Sequence, residues 1–136
     1  MKTLIVYYSF TGNNAILAGY LKDRMNADLY GIAEVRQRTG GTIFLDMLFN
    51  RSARIKTPSF GSNYDRCIVL GPIWNAGIAS PVRSFLKMER GRFPEYAFVS
   101  ICGGREGQEG KIAKQLTMAA GKAPVALDRL VAKLEK

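Results

Sequence analysis

Histidine is missing from this chain, cysteine occurs twice, and acidic residues are outnumbered, with 11 Asp and Glu against 20 Lys and Arg. Each shortage excludes something. Without histidine no side chain titrates unperturbed near neutrality, and with Cys67 and Cys102 as the only thiols there is little material for a zinc site or a histidine-based triad. Acid–base chemistry at neutral pH would need another source. No apolar run approaches the roughly 18 residues that a membrane-spanning helix needs, so membrane insertion is not expected. The opening MKTLIVYYSF carries a lysine and an apolar run but no small-residue cleavage site behind it. It reads as a strand rather than a signal peptide, and a cytoplasmic protein is expected. At 136 residues, 47% hydrophobic and 23% charged, the chain is too apolar for disorder and long enough to build a core without disulfides or metal. One domain over residues 1–136 is predicted.

What is present is organised around residues 4–21, LIVYYSFTGNNAILAGYL. Leu4 to Tyr8 are continuously apolar and rich in β-branched and aromatic side chains, as a strand buried on both faces of a parallel sheet requires. Ser9, Phe10, Thr11, Gly12, Asn13 and Asn14 then supply two hydroxyls, two amides and a glycine. Leu17, Tyr20, Leu21 and Met25 recur at three- and four-residue steps and predict an amphipathic helix. At such a helix start the unpaired N–H groups and the dipole favour an anion, phosphate above all, and Gly12 permits close backbone approach. No lysine or arginine stands between Lys2 and Lys22, which excludes the nucleotide P-loop, and the spacing misses the G-x-G-x-x-G fingerprint. Taken alone, these residues fit either a phosphate loop of neutral donors or an ordinary helix cap.

The same unit recurs along the chain. Residues 27–35 read as a second strand near a sheet edge, and residues 42–49 as a helix with Thr42 as its N-cap. Residues 56–64, with Pro58, Gly61 and Asn63, read as loop. Cys67-Ile68-Val69-Leu70 is a short buried strand. Gly71, Pro72, Ile73, Trp74, Asn75, Ala76 and Gly77 read as a loop, and Ala79-Ser80-Pro81 opens a helix with Val82, Phe85, Leu86 and Met88 on one face. A third unit runs from Tyr96 to Ile101, through the glycine-rich Cys102, Gly103, Gly104, Arg105 to Gly110, into Ile112, Leu116 and Ala119. Residues 123–127 suggest a last strand and 128–136 a final helix. Alternating strands and helices predict an α/β fold, a three-layer doubly wound parallel sheet of about five strands. Cys67 and Cys102 fall at opposite ends of neighbouring strands, so no disulfide is expected.

The first loop resembles that of the flavodoxin family, [Ser/Thr]-x-Thr-Gly-x-Thr between first strand and first helix, with Asn14 in place of the final threonine. The resemblance extends through Gly71-Pro72-Ile73-Trp74 to Pro81-Val82-Arg83-Ser84-Phe85-Leu86, which looks like the second flavin loop and the following helix of short flavodoxin-like proteins. It implies the strand order 2-1-3-4-5, with all three loops bordering one crevice where the winding reverses. It also implies non-covalently bound FMN. The phosphate would lie on Ser9, Phe10, Thr11, Gly12, Asn13 and Asn14, and the ring system against Pro72, Ile73, Trp74, Asn75, Gly77, Cys102, Gly103 and Gly104. Trp74 could equally plug the crevice, and Cys102 could be a structural thiol. Long-chain flavodoxins usually cover the outer flavin face with a tyrosine from the third loop, and none occurs here between Ile101 and Lys111, which implies one open ring face.

Three functions follow. The first is electron transfer through bound FMN to a redox partner protein, acidic given the formal charge of +9, or to a small-molecule acceptor. The second is a small NAD(P)H- or quinone-dependent FMN reductase in which Arg83 or Arg105 attracts an anionic substrate. The third is a flavin-free interaction domain using the basic group Arg36, Arg38, Arg51, Arg54 and Lys56, where Asp46 is the only acid. A solvated surface explains that group more simply than a docking patch, and no basic motif with interleaved aromatics supports nucleic acid.

Overall fold

Apolar runs without polar alternation cannot face water, and here they line up as the middle layer of the molecule. The computed structural model describes residues 2–8, 13–34, 55–61, 63–74, 77–102 and 109–131. Within them the elements follow as β1 (Thr3–Tyr7), α1 (Asn13–Met25), β2 (Asp28–Gly31), β3 (Arg66–Leu70), β4 (Ile73–Trp74), β5 (Gly77–Ile78), α2 (Ser80–Met88), β6 (Glu95–Cys102), α3 (Glu109–Ala120) and β7 (Ala126–Val131). One sheet has the order β2-β1-β3-β6-β7 with every pair parallel. Counting sheet strands alone, this is the expected 2-1-3-4-5 winding.

Strand alternation sorts the side chains into two cores. Leu4, Val6, Cys67, Val69, Tyr96 and Phe98 face α2 and α3, where Val82, Phe85, Leu86, Ile112, Leu116 and Ala119 meet them. Ile5, Ile68 and Leu70 face the other way, onto Ala18 and the half-buried Leu17, Leu21 and Met25 of α1. Helices therefore cover both faces. The helix α2 starts as expected, with Ala79 extended at its N-cap and Pro81 in its first turn. No helix among the described residues is long and apolar enough to cross a membrane.

Four expectations change in detail. The inner face of α1 runs through Asn14, Ala18, Leu21 and Met25. Tyr20 is 56% exposed on its flank, its hydroxyl accepting from Arg24 one turn later at 3.1 Å. The second strand stops at Gly31 because its partner runs out. Ile32 N–H still donates to Tyr7 O at 2.8 Å, and beyond it only an isolated antiparallel bridge joins Glu34 to Ile55. Residues 71–77 are not all loop, since β4 and β5 pair antiparallel as a hairpin. The last strand reaches Val131 because β6 offers pairing from Ala97 to Cys102, which overrides the helical spacing of residues 128–131. The expected helix over 42–49 lies outside the described residues.

Cys67 pairs in register with Tyr96, six residues before Cys102 along β6, roughly 20 Å at strand spacing. The two thiols therefore cannot bridge. The strands also differ in reach. Tyr7, Leu70 and Gly31 end flush, and Leu70 pairs with Val99, so Ser100 to Cys102 extend past β3 and are paired only to β7.

Candidate functional site

In an open parallel sheet, ligands bind beyond the carboxyl ends of the strands where the winding direction reverses. Here the reversal lies at β1 and β3, since β2 is added on one side and β6 and β7 on the other. The chain leaves β1, β3 and β6 at adjacent points of this edge. Tyr8 N–H donates to Leu70 O at 2.9 Å, and Gly71 N–H to Val99 O at 3.4 Å. All three distinctive loops of the sequence thus open from one rim.

The first loop ends in α1. Asn13 is its first residue, and Asn14, next along, is 3% exposed, a buried amide on the first turn of a helix whose N-terminus points to the rim. Ser9, Phe10, Thr11 and Gly12 lie outside the described residues.

The second loop is the best defined. Gly71 starts it under a steric demand, because a Cβ there would lie 2.4 Å from Val82 Cγ2 of α2. Ala79 N–H closes its base on Pro72 O at 3.2 Å. Between them β4 and β5 register Ile73 with Ile78 and Trp74 with Gly77. Pro72 is half-buried, and Ile73 is half-buried against the larger core. Asn75 lies outside the described residues, as do Gly103, Gly104 and Arg105 of the third loop. Cys102 is the last residue of β6. Arg83 sits half-buried in the first half of α2. Of the basic group, only Lys56 is described, exposed and donating its N–H to Ala33 O at 2.7 Å.

Two residues at the rim were not singled out from the sequence. Gln115 of α3 accepts the Ile78 N–H at 2.9 Å. Ser100, in the stretch of β6 past the end of β3, is 0% exposed, and its Oγ has no hydrogen-bond partner among the described residues. A buried hydroxyl without a partner is unusual and suits a site completed by a ligand or water. The only sequence signal for either is a polar residue beside apolar stripes, at Ser100 between Val99 and Ile101 and at Gln115 beside Ile112 and Leu116.

At the opposite, amino end of the sheet the described residues enclose only a small space. A cavity of about 20 Å³ lined by Cys67, Phe85, Phe93, Tyr96 and Lys122 has room for about one water molecule. Burial pushes the Cys67 thiol well above its ordinary pKa, which leaves it unreactive. No cluster of three potential metal ligands occurs among the described residues.

This edge, winding and helix placement define a class, the doubly wound α/β proteins with a ligand crevice at the strand carboxyl ends. Within that class the fold is flavodoxin-like. The chain superposes on a flavoprotein from Lactobacillus acidophilus NCFM, crystallised in complex with FMN, with a TM-score of 0.80 at 19% identity over 94% of this chain and 92% of that one. The apo-form of the flavoprotein from Lactobacillus acidophilus NCFM matches with a TM-score of 0.70 at 19% identity, over 94% and 91% of the two chains. Flavodoxin 2 from Bacillus cereus matches with a TM-score of 0.55 at 17% identity, over 100% and 88%. No protein-family model and no curated relative matches the sequence.

Proposed function

We propose that this chain binds FMN non-covalently at the carboxyl rim and works as a flavodoxin-like redox protein in the cytoplasm. The observation that carries the reading is topological. The neutral donor loop, the tryptophan loop and the glycine-rich loop, far apart in sequence, leave the sheet at neighbouring strand ends where the winding reverses. The donor set suits the group, since hydroxyls, amides and helix N–H groups hold a phosphate without a cation. The unpartnered Ser100 hydroxyl adds a donor at the rim, and the structural likeness to an FMN complex supports the same choice.

In this reading Ser9, Thr11, Asn13 and Asn14 hold the phosphate, while Pro72, Ile73, Trp74, Asn75, Gly77, Cys102, Gly103 and Gly104 border the ring. Bound FMN supplies the electron chemistry, and the protein contributes orientation, hydrogen bonds and the electrostatic setting. No protein nucleophile is required, which accommodates the absence of histidine. The formal charge of +9 favours an acidic redox partner or an anionic small acceptor.

The test is visible absorption of the purified protein, reconstituted with FMN if it emerges colourless. A flavin spectrum that stays with the protein through desalting is expected, and Thr11→Val should weaken FMN binding by about tenfold, the loss of one good hydrogen bond. Failure to retain FMN would overturn the reading. Oxidation of NAD(P)H by the holoprotein with added quinone would make it a reductase rather than a carrier.

A further inference from the structure

The hairpin β4–β5 is too small to hold its own shape. It has two residues in each strand, and an isolated ribbon of that size is not stable in water. Something outside it must fix the path of the chain between Pro72 and Ala79. One fixed point is the base, where Ala79 N–H reaches Pro72 O. The second comes from a distant helix. Gln115, 37 residues on, accepts the Ile78 N–H at 2.9 Å. The same amide fills the space where a side chain at position 77 would stand, since a Cβ on Gly77 would lie 3.0 Å from Gln115 Oε1 and 3.1 Å from Nε2. Glycine at 77 and glutamine at 115 are complementary. A side chain at 77 would press on the amide, which would have to give by a few tenths of an ångström, and a shorter residue at 115 would leave a gap and take this acceptor from the Ile78 N–H.

We infer that Gln115 is the positioning residue of the proposed flavin site. Its side-chain amide locks β5, and through the Trp74–Gly77 register it fixes the backbone of the lone tryptophan at the rim. The role assigned to Gln115 is indirect. It acts through the hairpin, and because α3 starts at Glu109, straight after the third loop, it ties the second loop to the helix into which the third loop runs. A shift in either loop is thereby felt by the other. The role assigned to Gln115 toward FMN rests on the function proposed above, whereas the lock itself does not.

Two variants separate the hydrogen bond from the bulk. Gln115→Met keeps the length and volume and removes the acceptor, and Gln115→Glu keeps an acceptor at the same place. In the flavin-free protein, amide hydrogen exchange at Ile78 should quicken at least about tenfold in Gln115→Met and stay near the parent rate in Gln115→Glu. Emission of Trp74, the only tryptophan, should shift in the first and not in the second. Gly77→Ala tests the contact from the hairpin side and should also quicken exchange at Ile78. FMN affinity of Gln115→Met should fall by about five- to tenfold. Unchanged Ile78 exchange in Gln115→Met, or equal loss in Gln115→Glu, would overturn the lock. Faster exchange with undiminished FMN affinity would overturn the positioning role. A parent protein that never binds FMN would defeat the proposed function while the exchange measurement still decides the lock.

Discussion

The two ends of the sheet are built from different chemistry. At the amino end, charged and phenolic groups are tied to carbonyls and carboxylates. Arg90 donates from Nε to Ala119 O at 3.1 Å and from Nη2 to Met118 O, closing the last turn of α3. Lys122 Nζ donates to Phe93 O and to Pro94 O, and the Tyr96 hydroxyl to Lys122 O at 2.9 Å. Arg92 pairs with Glu89 at 2.9 Å and lies 4.6 Å over the Phe60 ring. The Tyr64 hydroxyl donates to Asp28 at 2.6 Å. At the carboxyl end Tyr8, Gly71 and Ala79 are tied backbone to backbone, the Gln115 amide accepts the Ile78 N–H, and the Ser100 hydroxyl has no partner among the described residues. Cations satisfying helix C-termini suit an end that only has to hold. A buried hydroxyl without a partner among the described residues suits an end that has to receive something.

The contrast can be broken most sharply at Phe85, which is fully buried and lies 6.2 Å from Phe60 and 6.4 Å from Tyr30 by ring centroids. Phe85→Ala should cost about 3–5 kcal/mol in urea unfolding, with the FMN affinity of the remaining folded protein within about threefold of the parent. A large loss of affinity would mean that the ends are not separable. A smaller effect is expected from pH. Burial, with the Asp28 hydrogen bond and charge adding to it, pushes the Tyr64 phenol up to about 12, and burial alone does the same for Tyr96. An unfolded tyrosine ionises near pH 10. Between pH 10 and 12 the folded chain therefore binds more protons than the unfolded one, so stability that is fully present below pH 10 is lost across that window. Chemical denaturation at pH 8, 10 and 11.5 measures it, and Tyr64→Phe should flatten the fall. The smallest effect belongs to the rim. Ser100→Ala in the flavin-free protein should leave stability unchanged or raise it by up to about 1 kcal/mol, because no described bond is lost. A clear drop in melting temperature would show that the hydroxyl is already satisfied.

How much of this was legible depended on how local the cause was. β1, β3 and α2 could be read because an uninterrupted apolar run and a proline in a first turn act within a few residues. The strand order followed from alternation together with the family resemblance. The hairpin at 73–78 escaped, since strands of two residues have no periodicity and its brace comes from Gln115 on another helix. The apolar stretch after Gly31 looks like strand but lost its partner when β1 ended at Tyr7. At the other end of the chain, residues 128–131 have helical spacing but found a partner in β6. In both cases a neighbouring strand's length decided the outcome. The expectation that Tyr20 turns inward failed on a finer point. Asn14, not an apolar residue, begins the inner face of α1, and this rotates the stripe away from Tyr20.

The uneven reach of the strands has a bearing on traffic. With β2, β1 and β3 cut level and β6 and β7 standing three residues higher, the sheet edge is a stair rather than a trough. A flat molecule resting there would have the riser behind one of its margins and, among the described residues, no strand of the main sheet behind the other. If the proposed function holds, exchange with a visitor would pass over the lower tread, and lengthening β3 by a pair of residues should slow that exchange before it loosens the guest.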